Sequence, residues 1–330
     1  QGFIVDRTFN TLTPDLPRRG VYVRVARPVF SVDALVDDVL APNVVSASAD
    51  IAPVALFAPG GAAQTLRLGS TFAADLVAPT VLVIGPDGAI TSTPTRVPEI
   101  AEARRTVWYA AHAEFLAIDL KSFAFGAVLG ASGQDDVGSA GHVALTGRVG
   151  EGEGTWRVDP RVEGFVLSGG YIPRSVGPLY PIERVQFVGW GVELPAPKRR
   201  VVASIEHDGA LGVYADVGVS VDAWNARAVL AYQAVVGVPD AQSITALAAV
   251  TLTDGVDARV FFAKNALASP REVFSREGGL LVSALRLRLG RAFYGVARYN
   301  RSWRLDDRGV FTPITIWDVG VGAALGFAAE

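Results

Sequence analysis

The sequence predicts an all-β chain, a transmembrane antiparallel up-and-down β-barrel of about fourteen strands (roughly an even number from 12 to 16), with a short N-terminal helix. Three observations predict it. Apolar residues recur at every second position through most of the 330 residues, which is the period of a strand. The chain is oily, 50% hydrophobic with 19% charged residues and a mean hydropathy of +0.32. Yet no window of eighteen residues is free of charges and turn formers, which excludes helical membrane spans. Finally, the connections between segments alternate, mostly tight at one end and longer at the other, as in outer-membrane barrels.

Taken in order, residues 1–40 are expected to form a periplasmic extension or a lumen plug. Within them Ser31 is a candidate N-cap. Val32, Leu35, Val36, Val39 and Leu40 follow at helical spacing, with Asp33, Asp37 and Asp38 on the other face. Residues 41–330 are expected to form the barrel, one domain with 1–40. Strand signals cover residues 20–30, 44–57, 65–76, 106–120, 122–130, 141–149, 156–163 and 185–194, and residues 98–105 are read as a helical turn. From about Arg199 onward eight further segments alternate. Leu211, Val213, Ala215, Val217 and Val219 oppose Gly212, Tyr214, Asp216, Gly218 and Ser220. Trp317, Val319, Val321, Ala323, Leu325 and Phe327 oppose Asp318, Gly320, Gly322, Ala324 and Gly326.

Alternation alone also fits a soluble sandwich or barrel with its oily face inward. Two features favour oil outward. Counting back from the C-terminus, the connections 306–313 and 267–279 fall on the side that is extracellular in such barrels, and 290–291 and 254–255 fall on the periplasmic side. The tight pair Asp208-Gly209 is an exception. Phe293 and Trp303 share a face ten residues apart, as do Trp317 and Phe327. Ten tilted strand residues rise about 25 Å, the height of the apolar band between aromatic girdles. These four are the candidate membrane-interface aromatics.

Residues 316–327 resemble the terminal strand of Gram-negative outer-membrane β-barrel proteins, an alternating Gly-rich strand ending on an aromatic. Here the chain continues as Ala328, Ala329 and Glu330. The resemblance implies a porin-like architecture inserted by the barrel assembly machinery, and it singles out no specific family. The absence of any Met in a chain that starts at Gln1 fits an exported protein whose signal peptide is removed. The expected location is therefore the bacterial outer membrane. Expected partners are outer-membrane lipid, the assembly machinery, and other envelope proteins or a second copy.

Oil outward places Arg157, Asp159, Arg161, Glu163, Arg259, Arg286, Arg288, Arg298 and Arg304 in the lumen, as candidate selectivity residues for an anion-preferring pore or an acidic cargo. The leading function is passive or ligand-selective passage of small polar or amphipathic molecules. An occluded structural or surface-interaction barrel is the alternative, and a secreted soluble all-β binding protein the third. No enzyme is expected: His112 with Glu114, and Glu206-His207-Asp208 near a rim, evoke a hydrolase, but no nucleophile motif accompanies them. With no Cys, a disulfide framework, a thiolate metal site and a Cys nucleophile are excluded. No metal or cofactor is expected. Lys occurs only at 121, 198 and 264 and the net charge is -3, which gives nucleic-acid binding no support.

Overall fold

The structure, a computed structural model, describes residues 21–37, 40, 42–57, 65–86, 91, 99–150, 156–176, 179–253, 255–275, 278–290, 293–305 and 311–323. Strands β1 (Val21–Arg27), β2 (Phe30–Val36), β3 (Val44–Ile51), β4 (Arg67–Leu82), β5 (Ile100–Asp119), β6 (Phe123–Gln134), β7 (Gly138–Gly150) and β8 (Trp156–Gly169) follow one another. A long connection then carries α2 (Tyr180–Glu183), β9 (Phe187–Gly189), β10 (Val192–Ala196) and α3 (Lys198–Val202); α1 is Pro53–Phe57. The strands resume as β11 (Leu211–Val221), β12 (Ala226–Val235), β13 (Gln242–Thr253), β14 (Val256–Leu267), β15 (Gly279–Arg288), β16 (Phe293–Leu305) and β17 (Phe311–Ala323).

Fifteen of these strands form one sheet in sequence order, every neighbouring pair antiparallel, while β9 and β10 pair only with each other. The fold is thus the up-and-down all-β sheet the alternation predicts. The strand number is odd, however, and among the described residues β1 and β17 are edges with no ladder joining them. No described helix is long and apolar enough to cross a membrane.

The sheet is strongly curled. β4 and β16 stand ten places apart in the strand order, which in a flat sheet would separate them by about 48 Å. Yet the Tyr180 hydroxyl donates to Asp75 of β4 at 2.6 Å, and Gln186 Nε2 donates to the Trp303 carbonyl of β16 at 3.1 Å. Six residues of chain reach at most about 21 Å, so the sheet must wrap around the segment that bridges it.

One face of each strand lies inside that curl. On β8 the inward residues run from buried Leu167, Phe165 and Glu163 through half-buried Arg161 and Asp159 to exposed Arg157. β12 repeats the gradient from Val235 and Gln233 to Arg227, and β15 from Leu280 and Val282 to Arg288. The interior is therefore filled at the end of the long connections and open at the end of the tight turns. The opposite face is apolar and exposed: Phe72, Tyr109, Leu129, Val143, Leu145, Val162, Leu211, Leu230, Val260, Leu285 and Val319 all project outward.

Several sequence expectations are corrected. Residues 31–36 are not helical but lie in β2, paired with both β1 and β3. Apolar residues occupy both of its faces, with Val32 outward and Leu35 in the buried core, and that imitates helical spacing. The helical turn at 98–105 is strand from Ile100 onward, because register with β4 continues to its first residue. Residues 185–194 form strands outside the main sheet, and the predicted segment starting near Arg199 is α3, leaving seven sheet strands after the connection instead of eight. Inside the curl lie buried side chains of the connection after β8, Tyr171, Val176, Tyr180 and Phe187 among them, and residues 1–20 of the expected N-terminal extension or plug lie outside the described residues.

Candidate functional site

The segment 170–210 between β8 and β11 is tied to the wall through charged groups. Arg174 Nη2 donates to Glu163 Oε2 on β8 at 2.8 Å and its Nη1 to Gln233 Oε1 on β12 at 3.2 Å. Its guanidinium also lies 3.5 Å from the centroid of the Tyr214 ring on β11. Around Asp75 of β4, fully buried, the Tyr180 hydroxyl and Arg184 Nη2 (3.1 Å) both donate. Burial, and secondarily the adjacent carboxylate, push the Tyr180 phenol well above its usual range and keep it a donor. Inside the segment, Glu183 accepts from Lys198 Nζ at 2.7 Å and from Asn265 Nδ2 of β14. Buried, bonded charges of this kind hold one geometry, since an unpaired charge here would cost several kcal/mol.

Between the segment and β11–β14 lies a small open recess, lined among others by Arg174, Glu183, Trp190, Lys198, Tyr214 and Gln233. Its cations are already engaged, Arg174 by Glu163 and Lys198 by Glu183.

Glu163 is also the hub of a network that sequence reading missed. Its Oε2 accepts from Arg161 at 2.5 Å, and its Oε1 lies 2.9 Å from His142 Nδ1. His142 Nε2 stands 2.6 Å from Ser132 Oγ. With the ring proton on Nδ1, His142 donates to Glu163 and accepts from Ser132, the order of a nucleophile, base and acid. All three side chains are buried. Glu163 is also paired with two guanidiniums, Arg161 and Arg174, so the trio is part of a larger buried polar network under the segment.

Of the predicted lumen residues, Arg161 and Glu163 therefore belong to this buried hub, and Arg157 Nε pairs with Asp159 at 2.7 Å. Arg259, Arg286, Arg288 and Arg298 sit on the inward faces of β14–β16, and Arg286 stacks on Tyr294 at 3.8 Å. The Arg304 side chain lies outside the described residues. Register brings several of these together with one residue that was missed, Arg227. Arg157, Ser220, Arg227, Ala249, Arg259, Ala284, Arg298 and Asp318 are successive cross-strand partners from β8 to β17. The signal for Arg227 was its parity with Val229 and Gln233 on one strand.

The aromatics divide. Phe293 (59% exposed) and Trp317 (73%) point outward, and Phe327 lies outside the described residues. Trp303, expected at the lipid interface, is instead 6% exposed and belongs to a buried cluster with Leu179, Ile182 and Phe261. β16 has by then passed the end of its ladder with β15 at Arg301, and its partner on β17 is Pro313, which has no N–H. The strand end is free to turn inward, and Gln186 satisfies the carbonyl left without a ladder donor.

His112 on β5 reaches Asp50 on β3 at 3.1 Å across Gly69 of the intervening β4. A Cβ at Gly69 would overlap both side chains. Gly69→Val is expected to lower stability by about 1–3 kcal/mol, read as an earlier thermal transition in detergent; an unchanged transition would count against this contact. Asp208 accepts from the Gly169 N–H at 2.6 Å and His207 N–H donates to the Gly169 carbonyl, closing the exit of the segment. Among the described residues no cluster of three His, Asp or Glu is placed to hold a metal ion.

No family model matches the sequence, and no curated protein matches it. Among solved structures it is similar to the crystal structure of the Acinetobacter baumannii outer membrane protein Omp33, at 8% identity and a TM-score of 0.31, covering 85% of this chain and 91% of that chain.

Proposed function

We propose that the chain is an outer-membrane β-barrel that admits small polar molecules selectively, with residues 170–210 seated in its lumen as the element that decides passage. The carrying observation is the outward face of the sheet, which exposes Val, Leu, Phe and Trp side chains on strands from β1 to β17. Water-soluble monomers rarely expose apolar patches beyond a few hundred Å², whereas a barrel in lipid requires such a surface and keeps its charges inward. An Arg turned to mid-bilayer costs about 2–4 kcal/mol, and the arginines of β14 and β15 avoid this by parity. The reading includes export, insertion by the assembly machinery, and residence in a Gram-negative outer membrane. The longer connections would then face outward and the tight turns the periplasm.

The ionic ties of segment 170–210 favour a second reading, an occluded barrel with a structural or surface-binding role. Purified protein added to planar bilayers separates the two. Selective passage gives discrete, small conductance steps, and silence at every voltage leaves the occluded barrel.

A further inference from the structure

We infer that the row of arginines at the open end of the lumen binds an oligo-anionic ligand, one carrying several phosphate or carboxylate groups in line. This rests on the lumen reading above and names the ligand class of that lumen. Arginines stand on β8, β12, β14 and β16, every second strand, while β11, β13 and β15 contribute Ser220, Ala249 and Ala284. Two strand spacings set neighbouring arginines about 9.6 Å apart, and the small residues between them leave the wall clear. Arg286 lies diagonally beside both Arg259 and Arg298, since its own register partner on β14 is Asp257 and on β16 Val296.

Three of the four cations of the row have no ion pair among the described residues. Arg157 has Asp159, but among the described residues Arg227, Arg259 and Arg298 form no ion pair. Asp257 accepts from the Thr251 hydroxyl, and Asp318 beside Arg298 makes no ion pair with it. Arg298 is half-buried, with its Nε buried and without a hydrogen-bond partner. Arg227 and Arg259 are exposed to the lumen. Guanidinium forks suit phosphate and carboxylate in two-point contact. Because the other end of the lumen is filled, an anion entering by the turn end meets the row in a vestibule and not in a straight channel.

The test is calorimetric titration of the full chain in detergent, at fixed ionic strength, with linear inorganic tetraphosphate, with tetraglutamate and with orthophosphate. One of the oligo-anions is expected to bind on the order of 100-fold tighter than orthophosphate through joined contacts; the arm that does so distinguishes phosphate from carboxylate. Arg227→Gln with Arg259→Gln should weaken it by about tenfold or more. Arg271→Gln, an exposed arginine in the connection between β14 and β15 and outside the row, should leave it unchanged, and heat-modifiable gel migration reports that each variant is folded. Neither oligo-anion binding tighter than orthophosphate, or the double variant binding like the parent, would overturn the inference. Binding in detergent needs no passage: conductance without oligo-anion binding defeats this inference alone, and binding without conductance defeats the passage reading alone.

Discussion

Replacing residues 170–206 by an Asn-Gly turn is expected to convert small or absent conductance into large, steady steps. The rise should be on the order of tenfold or more, because barrels of about this strand number leave an aqueous channel when nothing fills them. The replacement respects the fold. Gly169 and His207 are already joined, His207 N–H to Gly169 O at 2.9 Å, so a two-residue hairpin turn continues the β8–β11 ladder. It removes Tyr180, Arg184, Gln186 and Lys198, which tie the segment to β4 and β16 or brace it internally. It also removes Arg174, leaving Glu163 with Arg161 and His142, so the hub stays compensated. A folded variant that remains as silent as the parent would show that the segment is not what closes the lumen.

Glu163→Gln should carry the second largest effect, a loss of about 3–5 kcal/mol, as expected when one partner of a buried ionic cluster is removed. Two guanidiniums, Arg161 and Arg174, would remain against the wall without their carboxylate. The readout is the temperature at which the compact form is lost on gels. Adding Arg174→Met should recover part of that loss, since the second substitution removes one of the stranded charges, and the departure from additivity measures their coupling. If Glu163→Gln costs under about 1 kcal/mol, the range of an exposed pair, the hub is not sealed as the geometry has it.

How much of this was legible in the sequence depends on which surfaces each residue meets. Residues 156–163 of β8, β11 and residues 317–323 of β17 are readable because one face is apolar and the other mostly charged, polar or glycine, so period two stands out. β2 is not, since Leu35 packs in the core while Val32 lies outside, and apolar residues on both faces blur the period. Segment 170–210 defeats local reading for a different reason. Pro173, Pro178, Pro181, Pro195 and Pro197 break any period, and its conformation is set by distant carboxylates such as Asp75. Its length was the available signal, for structureless connections beyond about 15 residues are uncommon without a role. Glu163 was visible as an inward charge, but its partners His142 and Arg174 lie 21 and 11 residues away along the chain, and only the register and the returning segment join them.

The central claim is that the apolar face of the sheet meets lipid. Because the chain has no cysteine, single labels can be placed at will. Val143→Cys and Leu145→Cys on the outward face of β7, and Ala144→Cys and Thr146→Cys on its inward face, would each carry a fluorophore in protein reconstituted into vesicles containing nitroxide-bearing lipid. Strong quenching at 143 and 145 with little at 144 and 146 is the predicted result. Equal quenching along the strand, or a protein that stays monomeric in plain buffer and never enters the vesicles, would contradict it.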